Sequence, residues 1–159
     1  MHCFRVTKHN PAHRDERGRY LRDDWIMFAQ VGSECGGVLL TLEDYELVER
    51  AYIDSALQFL TDSGIDALTV RTLENHSACP TAPAEGDRLD LAAAAIVMRS
   101  ILREQYWCRL QANAGYVHFG WDYYMYVGVC DPCESACEAA HARGLFVERF
   151  ASPYDEDAN

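Results

Sequence analysis

YVHFGWDYYMYVGV, residues 116–129, is the most aromatic and most regularly alternating stretch of the chain. Side chains of a strand alternate between two sides of a sheet. Val117, Phe119, Trp121, Tyr123, Met125, Val127 and Val129 then share one face, and every one of them is apolar or aromatic. Tyr116, His118, Gly120, Asp122, Tyr124, Tyr126 and Gly128 share the other, which is rich in tyrosine and carries a histidine and an aspartate. One continuous strand would far exceed the usual length of about five or six residues, so a hairpin turning at Gly120, Trp121 and Asp122 is expected. A three-residue loop pairs Phe119 with Tyr123, and a single strand bent at Gly120 would give the same two faces. Trp121 falls in the apolar set, so the alternation predicts that it is buried.

The flanking sequence supplies the rest of the architecture. Tyr106–Gln111 reads as the preceding strand and 113–115 as a turn, which makes a meander with the hairpin. Asp131 and Pro132 open a helix, since proline is tolerated in a first turn. Gly144 closes it, and LFVERF (145–150) is the last strand. Upstream, Asp87 is expected to cap a helix whose Leu91, Ala94, Ala95, Met98, Ile101 and Leu102 form a buried stripe. Residues 74–86, with Pro80 and Pro83, read as a surface loop, and 67–73 as a strand. An earlier helix begins at Thr41, with Asp44 in the acidic place of a capping box, and stops at Ser63 and Gly64. HCFRVT (2–7) is a short strand and 8–19 an exposed loop. WIMFAQV (25–31) fits a helix or a strand equally well before the break at 32–37. The order predicts an α+β domain with a largely antiparallel or mixed sheet, a C-terminal meander and about three helices on one face. Residues 1–150 are expected to form this single domain and 151–159 an acidic tail.

Composition narrows the functional classes. The 159 residues carry a net charge of −11, unevenly spread. Residues 1–24 hold six Lys or Arg against four acids, whereas the remainder holds eight Arg against 21 acids. Such a field repels nucleic-acid phosphates and anionic membranes and favours a basic protein partner, although an acidic surface also simply keeps a protein in solution. The first ten residues lack the apolar core of a secretory signal, and no apolar run approaches the ~20 residues that span a bilayer. A cytoplasmic protein is expected. Seven cysteines, an odd number without framework spacing, then read as free thiols that pack as small hydrophobes.

VTKHNP (6–11), HFGWDYYMYVG (118–128) and GLFVERFASPY (144–154) together resemble small bacterial single-domain proteins. The resemblance covers nearly the whole chain, implies one domain, and implies no particular activity.

Three constellations carry possible chemistry. Cys130-Asp131-Pro132-Cys133 follows a strand and precedes a helix, a placement that resembles thioredoxin, where a helix N-terminus lowers a thiol pKa. Asp131 opposes a thiolate there, and only 26 residues follow Cys133, too few to complete a thioredoxin fold. Cys130, Cys133, Cys137 and His141 have a zinc-like spacing, yet eight helical positions rise about 12 Å, too far for one ion. No metal or other cofactor is therefore expected. His118 and Asp122 share a strand face, where a carboxylate-oriented histidine could act as a general base beside Tyr116, Tyr124 and Tyr126. No G-x-S-x-G or phosphate loop accompanies them.

The leading expectation is a protein-binding or regulatory module, in concrete form an immunity or antitoxin-like protein that blocks a basic partner. Carboxylates can occupy a phosphate-binding cleft, and tyrosines are favoured anchors. Tyr116, Tyr124, Tyr126 and the acidic ridge Glu43, Glu46 and Glu49 are the candidate contacts. A small enzyme using His118 and Asp122, or a thiol redox protein using Cys130 and Cys133, is the alternative.

Overall fold

The computed structural model describes residues 1–155. In chain order the strands are β1 (His2–Thr7), β2 (Glu34–Cys35), β3 (Val38–Leu39), β4 (Ala67–Glu74), β5 (Arg88–Asp90), β6 (Trp107–Ala112), β7 (Gly115–Phe119), β8 (Tyr124–Val129) and β9 (Phe146–Arg149). The helices are α1 (Leu42–Asp62), α2 (Leu91–Leu102) and α3 (Glu134–Ala142). Seven strands form one sheet in the order β5-β4-β6-β7-β8-β1-β9, with neighbours antiparallel throughout, while β2 and β3 pair separately. This is the expected α+β class, with β6, β7 and β8 as the meander. No helix among the described residues is long and apolar enough to cross a membrane.

Alternation places the core. Val117, Phe119, Met125, Val127 and Val129 are almost wholly buried and cluster with Tyr52, Phe59 and Leu60 of α1, Met98 of α2 and Ala136 of α3. The hairpin register pairs Phe119 with Met125, not with Tyr123, so five residues lie between the paired positions. Residues 119 and 125 have the same parity, and the two faces survive the longer loop. Trp121 does not follow the pattern: it is 83% exposed. It opens the tight turn Trp121–Tyr124, which the Tyr124 amide closes by donating to the Trp121 carbonyl, and there successive side chains no longer alternate across a pleat.

Local signals fix most helix ends. Thr41 Oγ1 accepts from the Asp44 amide at 3.1 Å, and Gly64 takes φ +69° just beyond α1. The second helix begins later than expected, because Arg88–Asp90 pair with β4 as an edge strand and Asp90, not Asp87, accepts from the Ala93 amide at 2.8 Å. Asp87 instead accepts from the Ala84 amide, within the preceding turn. The undecided 25–31 segment is neither regular helix nor strand; it makes one short 3₁₀ turn at Phe28–Gln30 before the β2–β3 hairpin.

The chain after β9 returns across the sheet. Of the expected tail 151–159, Ser152 is buried and Tyr154 is half-buried against Trp107 and Tyr126, while residues 156–159 lie outside the described residues. Phe150–Asp155 thus forms a strap over the face opposite the helices.

Candidate functional site

Beneath the strap lie three of the expected site residues. Tyr116, His118 and Tyr126 are all buried. The His118 ring stacks on Tyr116 at 4.3 Å and 8°, and its Nδ1 lies 2.9 Å from Ser152 Oγ. The Ser152 amide donates to the Tyr116 hydroxyl at 3.3 Å. Gly128 makes this possible: a Cβ there would collide with the Tyr116 ring, which lies across the glycine. Burial pushes the His118 pKa down to about 3, helped by the positive charge of Arg109, so the ring is neutral at ordinary pH.

The His118–Asp122 pair does not form. Among the described residues no hydrogen bond or ion pair joins them, and Asp122 is exposed at the hairpin tip. The histidine that does meet Asp122 is His9, whose Nε2 donates to the Asp122 carbonyl oxygen at 2.9 Å. His9 is 1% exposed although its sequence context is a charged, proline-containing loop. Nothing local to residues 8–19 signals this, since the contact spans 113 positions.

The acidic ridge is only partly a ridge. Glu43 is exposed, but Glu49 is 3% exposed and faces α2. Arg103 donates to Glu49 through Nε at 2.7 Å and Nη2 at 2.9 Å, and to Glu46 at 3.2 Å. Arg99 adds a 3.3 Å ion pair to Glu49. The reason is visible in hindsight: Glu49 stands between Tyr45 and Tyr52 at helical spacing, on the stripe that faces the core.

The thiols are placed apart in character. Cys130 is exposed and Cys133 is buried. Cys133 Sγ lies 3.1 Å from Ser63 Oγ, and burial pushes its pKa up, away from the thiolate that redox catalysis requires.

What the structure builds on the outside is the hairpin tip. Asp122 and Tyr123 both have positive φ, +57° and +63°, a conformation that is uncommon for a bulky residue. Several contacts hold it. The Tyr52 hydroxyl donates to the Tyr123 carbonyl at 2.7 Å, the Tyr123 hydroxyl donates to the Tyr45 hydroxyl at 2.9 Å, and the Gly120 amide donates to the Tyr124 carbonyl at 2.8 Å. The Trp25 and Tyr123 rings meet edge to face with centroids 4.9 Å apart. Strained backbone of this kind persists only where the surroundings over-determine it, and it concentrates at functional positions. Here its effect is to point Trp121 outward from a fixed base.

Trp121 stands at a cleft of about 440 Å³ whose wall includes Tyr106, Trp107, Tyr124 and Tyr154. Ile26 and Met27 line it from the segment whose structure the sequence left open. Its carboxylates are Glu74, Glu104 and Asp122, with His76 Nε2 3.6 Å from Glu74, and among the described residues no Arg or Lys lines it. Of the expected contact residues only Tyr124 reaches this cleft, together with Asp122 of the expected catalytic pair. Trp107 is oriented by its own Nε1–H, which donates to the Phe119 carbonyl at 2.7 Å. Gly120 admits the Tyr154 ring, whose hydroxyl would lie 3.2 Å from an added Cβ. The cleft is concave and rich in aromatic rings, with a few carboxylates, features that ligand sites commonly combine. No protein-family model, curated protein or solved structure matches the chain.

Proposed function

We propose that the chain is a protein-binding module that receives a basic partner at the Trp121 cleft. The observation that carries this reading is a tryptophan 83% exposed on a rigidly held tip, beside an aromatic cleft whose charged lining is acidic apart from His76. A large exposed apolar ring is unfavourable to maintain in water, and aromatic residues of this kind are the usual anchors of protein interfaces. The net charge of −11 would steer a cationic partner toward the cleft. An immunity or antitoxin-like role in the cytoplasm, with carboxylates occupying the phosphate site of a basic nuclease, is the concrete form that this chemistry supports.

Selection of random peptides displayed against the immobilised protein tests the reading, with Trp121→Ala as the counter-bait. Peptides rich in Arg or Lys are expected to bind the parent and to be lost on the variant. The exposed position predicts that Trp121→Ala unfolds within about 0.5 kcal/mol of the parent, so a binding loss would not be a folding loss. Basic peptides that bind both proteins equally would overturn the assignment of this cleft.

A further inference from the structure

Elsewhere in the molecule, guanidinium groups are repeatedly held between a ring face and a carboxylate. Arg103 lies over Phe28 at 5.0 Å and Tyr45 at 6.0 Å while it binds Glu49 and Glu46. Arg5 lies over Phe150 at 4.2 Å and donates to Glu148 at 3.1 Å. Arg14 lies 5.8 Å from the Tyr124 ring centroid and pairs with the same Glu148 at 2.8 Å. The Trp121 cleft offers the same two halves, aromatic faces and the carboxylates of Glu74, Glu104 and Asp122, but no Arg or Lys from the described residues lines it.

We infer that the cleft takes an arginine side chain of the partner, its guanidinium stacked on Trp121 and paired with the rim carboxylates. The inference rests on the docking reading above and names what that docking recognises. Guanidinium suits the site better than ammonium because it is planar, weakly hydrated, able to stack on a ring and able to bind a carboxylate through two donors at once. A neutral aliphatic anchor would leave the rim carboxylates unanswered, and an anion would be repelled by them. Cation–π attraction strengthens as the site loses water, and the half-enclosed walls around Tyr106 and Trp107 favour that.

The test uses two blocked tripeptides of the same shape, acetyl-Gly-Arg-Gly-amide and its neutral citrulline counterpart, titrated into the full chain and followed by amide and indole NMR shifts. The arginine peptide is expected to shift the Trp121 indole and the Gly120 and Asp122 amides. The citrulline peptide is expected to bind at least about fivefold more weakly, the equivalent of a ~1 kcal/mol cation–π contact. Glu74→Gln/Glu104→Gln, at exposed positions, should weaken the arginine peptide without lowering the melting temperature, and added salt should do the same. Equal binding of the two peptides at Trp121 would overturn the arginine assignment and leave the docking reading standing. Arginine-peptide shifts that map away from Trp121 would also overturn the assignment. Failure of both these peptides and the display-selected ones to engage Trp121 would overturn the two together.

Discussion

Arg103→Met should be among the most destabilising single changes available on the surface of this protein. Glu49 is 3% exposed, and Arg103 gives it bonds of 2.7 and 2.9 Å. Removing one partner of a buried pair leaves the other charge desolvated, which costs about 3–5 kcal/mol. Arg99 remains at 3.3 Å but is itself half-exposed, so the expected loss lies near the low end, about 3 kcal/mol. That is a large part of the ~5–15 kcal/mol that holds a domain together, and it corresponds to roughly 6–12 °C in melting temperature for a chain of this size. Urea unfolding of the parent, Arg103→Met, Glu49→Met and the double variant separates the pair from its parts. The double variant should recover most of the loss, because apolar side chains that replace a buried pair are often neutral or better. A loss under about 1 kcal/mol for Arg103→Met, or a double variant no better than the sum of the singles, would show that Glu49 is solvated and that the reasoning fails.

The buried histidine makes stability depend on pH. His118 has an ordinary value of 6.5 and a folded value of about 3, so between these limits the unfolded chain binds the extra proton. Stability should therefore fall as pH drops below about 6.5, by up to ~1.4 kcal/mol per unit from this group. His118→Gln should remove that contribution, and denaturation at two pH values either side of 6 checks it; parallel losses in parent and variant would contradict it. Gly128→Ala should drive a methyl into the Tyr116 ring and cost about 1–3 kcal/mol by overpacking, visible as a lowered melting temperature. Thiol labelling at neutral pH should modify exposed Cys130 well before buried Cys133, and the opposite order would restore the redox reading.

Several features were legible in the sequence because their causes are local. Alternation over residues 116–129 assigns both faces of the hairpin, and it does so whatever the loop length, provided the paired positions keep the same parity. Thr41 marks the start of α1 because its hydroxyl caps an amide only three residues away. Other features depend on partners that are distant in sequence. Glu49 is buried because Arg103, 54 positions on, meets it, and His118 is sealed because the chain returns 34 positions later to place Ser152 on its ring. Trp121 is exposed because anchors from α1 and the loop after β1 hold the tip in a tight turn, where the two-residue period no longer applies. The cleft draws its walls from segments near residues 26, 76, 104, 121 and 154. Periodicity reports which way a side chain points from its own strand or helix; only the folded packing of distant segments decides what waits there to cover it.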